Sequence, residues 1–455
     1  MPNIAEEKDC EDRISALPED LLVKILLLLP VKDAVATTVL SKPWRYIWTL
    51  MPKLVCKDTK HTNNRSFWWF LEHYSLQLHK APRLLEHLEV KLGSRCPDDA
   101  DVGNLILNAV ERYIRVLDFN MKWLGKHISL PNELYTCKTL KKLILSNKIL
   151  IENLPEVFLP SLTKLGLYDV VYKDEDSLVK LLSGCPVLKA LGVRRAKNDN
   201  VIEFSVKVPS LHRLNYVNQN QDDEVCGSGS GSLIIDSPQL KFLNVIDYAE
   251  DVCLIEGKIP SLIEAIVDVG TCHNEKLLTC LSSVMFLNLS WIDETEIFCS
   301  GVNYSQLIEC KLTPWAEYWA ESIMLLLDNA PKLKVLMINT RKIEEFDDLP
   351  PWSWSHVPKC MSSQLEILEW VNYGGTRDEK NLLAYILANS KCLKRAGICM
   401  KYSDDCSDET KWELKQELKS MPRASVSSQL LFRVKFRWRS LPQHPLFDWL
   451  RSLMF

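Results

Sequence analysis

The sequence predicts an α/β chain: three short helices at the N-terminus, a long irregular solenoid of strand-forming repeats, and a closing α+β unit at the C-terminus. Three observations predict it. Residues 12–50 carry three short helix-compatible runs separated by proline and serine punctuation. From residue 84 the pattern apolar-x-x-apolar-x-apolar recurs, with successive starts 22 to 29 residues apart. Near the C-terminus, Thr376 and Glu379 form a capping-box signature ahead of an apolar helical face.

The N-terminal segment reads DRISALPEDLLVKILLLLPVKDAVATTVLSKPWRYIWTL. Its first helix is expected from about Pro18 to Leu29, with Glu19 and Asp20 at the positive end of the dipole and Pro30 as the stop. The second is expected from about Lys32 to Leu40. Ser41 is expected to cap the third, so that Pro43 falls in the first turn, where a missing N–H has no intrahelical partner. Trp44 and Trp48 then share a face. The first helix is apolar nearly all round, with Leu21, Leu22, Ile25, Leu26, Leu28 and Leu29. Three short helices cannot bury that much surface among themselves, so the rest of the chain or a partner must cover part of it.

The repeat appears as LEHLEV (85–90), IRVLDF (114–119), LKKLIL (140–145), LTKLGL (162–167), LKALGV (188–193), LHRLNY (211–216), LKFLNV (240–245), LIEAIV (262–267), VMFLNL (284–289), LIECKL (307–312) and LKVLMI (333–338). This spacing is that of leucine-rich repeats, each contributing one short strand to a curved stack. The helices DEDSLVKLLS, AESIMLLLD and TRDEKNLLAYILA would line the convex side, and the strands the concave side. Gly184, Asn329 and Asn389 are expected to end helices in the left-handed conformation. Asn215, Asn244 and Asn288 lie at strand positions suited to reading a partner. The stretch NQNQDDEVCGSGSGS (218–232) reads as a surface loop, since no Lys-Ser/Thr follows its glycines.

At the C-terminus, AGICMKY reads as a strand, and a second helix from about Glu409 to Met421 stops at Pro422, with Trp412 expected in its core. The last 23 residues, 433–455, interleave basic and aromatic residues, a pattern compatible with nucleic acid or membrane, but read first as an added strand and helix or an unselected extension.

Apolar residues make up 47% of the 455 and charged residues 25%, with net charge −4, so no electrostatic footprint for nucleic acid is visible. The fifteen cysteines are scattered with no CxxC pair, and the polar start MPNIAEEKDCEDR reads as no secretory leader. They are expected to be reduced, mostly small core residues of a cytoplasmic or nuclear protein. LLVKILLLL is too short to span a bilayer, and no membrane contact is expected. HExxH, GxSxG, P-loop and zinc-spaced Cys/His patterns do not occur, so no catalytic residue, cofactor or metal ligand is assigned.

Residues 12–50 closely resemble an F-box in its plant form, roughly D-R-I-S-x-L-P-x-x-L-L-x-x-I-L-x-x-L-P-x-K-D-A-V-x-T-x-V-L-S-K-x-W-R-x-x-W, departing at Pro43 where that pattern usually has Arg. V-P-x-C, YGGT and SMPRASVSSQLLF are similar to the FBD region of plant F-box/leucine-rich-repeat proteins. The resemblance implies an F-box over 12–58, leucine-rich repeats over 84–345 and an FBD region over 357–432. It implies that Leu17, Pro18, Leu22, Ile25, Leu29, Val39 and Trp44 lie in or beside the contact with the Skp adaptor of a cullin-RING ubiquitin ligase. It also implies that the repeats hold a target protein and that the chain itself is not an enzyme. Two other readings stand beside it: an interaction scaffold or decoy with a weak F-box, and an enzyme acting on a small molecule in the concavity.

Overall fold

The computed structural model describes residues 12–58, 68–69, 71–72, 84–97, 99–122, 125–152, 155–218, 232–248, 254–255, 259–269, 275–291, 302–314, 319–340, 354–401 and 408–432. The expectations for the glycine–serine run and the tail 433–455 fall outside these residues. The chain divides into two compact units, Met1–Ser261 and Leu262–Phe455.

The first unit opens with helices α1 (Glu19–Leu26), α2 (Val31–Ala36) and α3 (Trp44–Ile47). Pro18 and Pro30 act in the same way. Each adopts an extended ψ near 145° as the residue before its helix, and its carbonyl accepts from the first turn, Leu22 N to Pro18 O at 3.2 Å and Ala34 N to Pro30 O at 3.0 Å. Pro30 therefore opens α2 as well as following α1. The expected 32–40 helix tightens into a 3-10 turn at Thr37–Val39, where the Thr37 hydroxyl donates to the Ala34 carbonyl at 2.6 Å. Pro43 has helical angles (φ −56°, ψ −38°), as first-turn placement requires, and α3 runs on as a 3-10 turn Trp48–Leu50. Ser41 corrects the expectation of a side-chain cap. Its hydroxyl lies 2.8 Å from that of Ser15, and it is the Ser41 carbonyl that accepts from Trp44 N, at 3.2 Å.

All eleven repeat segments are strands, and each strand begins two residues into its motif, as in His87–Leu92, Val116–Met121, Lys142–Asn147 and Lys164–Tyr168. The three apolar positions of every motif are at most 3% exposed, so they form three inward columns of the core. The ladder repeats itself from strand to strand within each unit. The two N–H groups that open a strand share one carbonyl of the preceding repeat, as Lys141 N and Lys142 N do on Arg115 O, and Thr163 N and Lys164 N on Lys141 O.

In the first unit, Lys53–Lys57 starts a parallel sheet that continues through His87–Leu92, Val116–Met121, Lys142–Asn147, Lys164–Tyr168, Ala190–Arg194, Arg213–Asn218 and Phe242–Asp247. The helical module thus runs straight into the first strand. The buried Arg112 guanidinium donates to Thr49 O at 2.9 Å and ties the two together. Helices Val102–Glu111 and Glu175–Ser183 occur here as amphipathic segments, each with an aspartate cap, Asp101 to Asn104 N and Asp174 to Ser177 N. The second layer also contains the short helix Asn132–Tyr135 and two three-stranded parallel ribbons, Ile128–Ser129 with Ile149–Ile151 and Val171–Tyr172, and Phe204–Lys207 with Leu233–Asp236 and Leu254–Ile255.

In the second unit, strands Glu264–Val269, Phe286–Trp291, Glu309–Pro314 and Val335–Asn339 pair in parallel, and Ile367–Tyr373, Arg395–Met400 and Gln429–Phe432 extend the same sheet. Helix Arg377–Asn389 carries the expected capping box, with Thr376 N donating to Glu379 Oε2 at 3.1 Å and Glu379 N to Thr376 Oγ1 at 3.4 Å. Glu379 also accepts from Gly374 N (2.9 Å) and the Thr340 hydroxyl (2.5 Å), and Trp370 Nε1 donates to Thr340 (3.2 Å). This buried carboxylate therefore locks helix to sheet. The second C-terminal helix spans Asp408–Ser420.

Two expectations are corrected. Gly184 has φ −72°, and Asn329 and Asn389 are not among the residues of positive φ. Gly184 is required by proximity, since a Cβ there would stand 2.6 Å from the Val157 carbonyl oxygen. The two asparagines finish their helices by side-chain donation to the carbonyl four residues back, Leu325 O and Tyr385 O, each at 2.9 Å. Left-handed angles occur instead at Asn147 and Asp169, as strands end, and at Asn372, where the ladder register shifts. Trp412 is 61% exposed, because Asp408–Ser420 meets the core through Leu418.

Candidate interaction surfaces

Two surfaces stand out. The first is on the helical module. Its interior holds Leu22, Val23, Leu26, Val31, Ala34, Val35, Trp44, Ile47 and Trp48. Trp44 Nε1 donates to Ser15 Oγ at 3.0 Å, and Ser15 N donates to Asp12 Oδ1 at 3.1 Å, so the entry turn is held against α3. The hydrogen bonds from Ser15 hold the Asp12 carboxyl below its usual range. On the rim, the Tyr46 hydroxyl donates to Glu19 Oε1 at 2.6 Å, and that bond raises the phenol pKa.

The structure separates the seven sequence-predicted adaptor residues. Leu22, at 1% exposed, and Trp44 are buried inside the module; Leu17 is half-buried; Pro18, Ile25, Leu29 and Val39 are exposed. Ile14, Leu21, Leu27, Leu28, Leu40 and Tyr46 are exposed as well. Nine of the twenty exposed large apolar side chains among the described residues therefore fall between residues 14 and 46. That density is unusual for a surface in contact with water alone. The all-round apolarity of α1 signals Leu21 and Leu28 in the sequence. Leu40 and Tyr46 carry no such signal, because their exposure depends on where α2 tightens and α3 begins.

The second surface is the polar face of the parallel strands. Within each motif the residues between the apolar anchors point away from the core, and the register aligns them in columns. In the first unit the opening column runs Lys53, His87, Val116, Lys142, Lys164, and the next outward column Val55, Glu89, Asp118, Ile144, Gly166. Glu89 pairs with Lys57 at 2.9 Å and Lys91 at 2.8 Å; Lys91 also lies 3.9 Å from Asp118. Burial pushes Glu89 up, and Lys91 and Lys57 outweigh it, so its carboxyl titrates below the ordinary value. Burial, with Lys53 next, lowers the proton affinity of His87. Further along, Asn215 and Asn244 are directly opposite, and Asn244 Nδ2 donates to Asn215 Oδ1. The Tyr168 ring lies over Gly166, 2.7 Å from where a Cβ would stand.

The second unit's polar face differs. It carries Glu264, Phe286, Glu309, Val335 and Ile367 in its opening column, with Asn288, Lys311 and Glu369 in the next. Burial and then Glu264 and Glu369 raise the Glu309 carboxyl.

Cys56, Cys185 and Cys360 are buried, and burial pushes each up to about 12. Among the described residues no cluster of three His, Cys, Asp or Glu side chains gathers as a metal set, and no helix is long and apolar enough to cross a membrane.

Comparison with known proteins finds matches to three family models and to several relatives. The F-box domain model matches residues 14–62, the model "FBD-associated F-box protein At5g56370, LRR repeats" matches 104–247, and the FBD model matches 353–398. Among curated Arabidopsis thaliana proteins, "Putative FBD-associated F-box protein At1g05080" is 43% identical over 94% of this chain and 99% of its own length. "Putative F-box/FBD/LRR-repeat protein At1g22000" is 44% identical over 96% of both, and "F-box/FBD/LRR-repeat protein At4g26340" is 38% identical over 92% of this chain and 100% of its own.

Proposed function

The chain belongs to the family of F-box/FBD/LRR-repeat proteins, and from that premise we propose that it is the substrate-recognition subunit of an SCF-type (cullin-RING) ubiquitin ligase. Residues 12–58 form its F-box, 84–345 a leucine-rich-repeat horseshoe, and 357–432 the FBD unit that closes it. The F-box docks a Skp-type adaptor, and the strand face of the repeats holds a target protein. The chain carries out no bond chemistry. It holds a target lysine near a ubiquitin-loaded enzyme bound elsewhere in the assembly, and so acts by proximity. This work belongs in the cytoplasm or nucleus.

The observation that carries this reading is the unpartnered apolar surface of the helical module. In it, Pro18, Ile25, Leu29 and Val39 touch the adaptor, Leu17 lies at the edge, and Leu22 and Trp44 set the helix positions from within. Burying such side chains contributes about 1.5–3 kcal/mol each, enough for a handful to sustain a specific complex.

The test is capture of a purified Skp-type adaptor by the intact chain. The wild type retains the adaptor, and Leu17→Ala with Pro18→Ala weakens retention. If the intact chain captures none, or the double variant captures as much as the wild type, the reading fails.

A further inference from the structure

The polar strand face of the first unit carries a surplus of positive charge that its own residues leave unpaired. Over its first five strands, five lysines, Lys53, Lys57, Lys91, Lys142 and Lys164, share that face with two carboxylates, Glu89 and Asp118. Both carboxylates are engaged by Lys57 and Lys91. Lys53, Lys142 and Lys164 enter no ion pair among the described residues.

The register makes the surplus specific. Lys142 and Lys164 stand directly opposite on neighbouring strands. Like charges in that position disfavour the sheet. Both are half-buried, so neither ammonium is fully solvated. Burial lowers the proton affinity of Lys142, with Asp118 opposing and Lys164 adding to the loss. Tyr168, on the same face, has a buried hydroxyl with no hydrogen-bond partner. Basic side chains can avoid this by pairing across strands, as Arg395 does with Glu369 in the second unit. The feature is not general to the repeats, since the opening column of the second unit carries Glu264 and Glu309.

We propose that this face receives an acidic segment of the target protein, its carboxylates lying between Lys142 and Lys164 and toward Lys53. The inference rests on the reading that the strand face holds the target, and it adds the chemistry the target must present. An acidic chain crossing the strands replaces a like-charge contact with opposite-charge contacts, which gives selectivity and faster encounter more than raw affinity.

The experiment is selection from a random peptide library displayed on phage, with the full-length chain immobilised. The expected result is a bound pool enriched in Asp and Glu over the input, with the enrichment fading as salt rises. Lys142→Ala with Lys164→Ala weakens a selected peptide about tenfold, while Lys142→Arg with Lys164→Arg and the second-unit variant Lys311→Ala retain it. None of these variants melts below the wild type, and the alanine pair, relieved of the like-charge contact, melts at or slightly above it. A bound pool without acidic enrichment overturns the proposal, as does enrichment that survives the alanine pair. So does complete displacement of the peptides by random single-stranded DNA of equal charge, which marks a general polyanion surface. Adaptor capture on the same preparation separates the two readings: a chain that binds the adaptor but selects no acidic peptides keeps the proposed function and loses this inference.

Discussion

Val39 gives the sharpest test of the module surface. Its side chain is 85% exposed in the 3-10 turn after α2. Val39→Ala removes two methyl groups, each worth about 0.8 kcal/mol when transferred out of water. Nearly all of their surface is still wet in the free chain, so adaptor binding forfeits about 1.4 kcal/mol, a tenfold rise in Kd. The free chain forfeits almost nothing, since an exposed substitution of this kind usually stays within about 0.5 kcal/mol. Biolayer interferometry on immobilised adaptor and a thermal melt on the free chain read the two quantities separately. Leu22→Ala supplies the contrast. It is 1% exposed, so it costs about 2–5 kcal/mol of folding and loses binding only as the module loosens. An unchanged Kd for a well-folded Val39→Ala chain would place this turn outside the contact. A lowered melting temperature for the same variant would refute the reasoning from exposure.

Four further outcomes follow from particular contacts. Glu379→Ala removes the acceptor shared by Gly374 N, Thr376 N and the Thr340 hydroxyl, and is expected to destabilise the second unit by on the order of 3 kcal/mol in urea titration. Glu309 has a carboxyl raised above its ordinary 4.5 by burial, Glu264 and Glu369, so the folded state holds that proton more tightly. Its contribution is most favourable below 4.5 and declines as pH rises through the folded value. Glu309→Gln should therefore raise the melting temperature at neutral pH and change little near pH 4. Gly184→Ala forces a Cβ toward the Val157 carbonyl and should cost about 1–3 kcal/mol by chemical denaturation. Pro43 is exposed, so Pro43→Arg should change adaptor affinity by less than about 1 kcal/mol, and a hundredfold gain by titration would mark the F-box as impaired.

Much of the fold was legible because one signal repeats. Each apolar triplet marks three buried columns, and eleven such triplets locate eleven strands with a constant two-residue offset. The three-stranded ribbons were not legible. Strands of two to four residues, such as Ile128–Ser129, are too short for a period to register, and their pairing is set by the turns of the main sheet. Helix ends were misread for a related reason. Gly184 was expected to supply a left-handed angle, whereas its need is a close approach to Val157 from a distant part of the chain. Trp412 looked like core because it is large and apolar, yet only Leu418 of the described residues on that helix is buried. The seven residues of the adaptor set all fall in the helical module, where the structure divides them between interior and surface. Separating Leu22 and Trp44 inside from Val39 and Leu29 outside needs the helix packing, since an apolar side chain reads alike on either face.

The strand face shows the same limit. Its alternation is visible in every motif, but that Lys142 stands opposite Lys164, and Glu89 between Lys57 and Lys91, is a property of register between repeats of unequal length. Irregular spacing hides those neighbours until the strands are paired.

On the proposed function, the exposed apolar surface of the helical module docks an adaptor while the repeats stay free for a target. Calorimetric titration of the intact chain with a purified Skp-type adaptor tests it most directly. The expected result is a one-to-one complex with Kd of about 1 μM or tighter and a negative heat-capacity change from buried apolar surface. Absence of binding, or binding without that heat-capacity change, would contradict it.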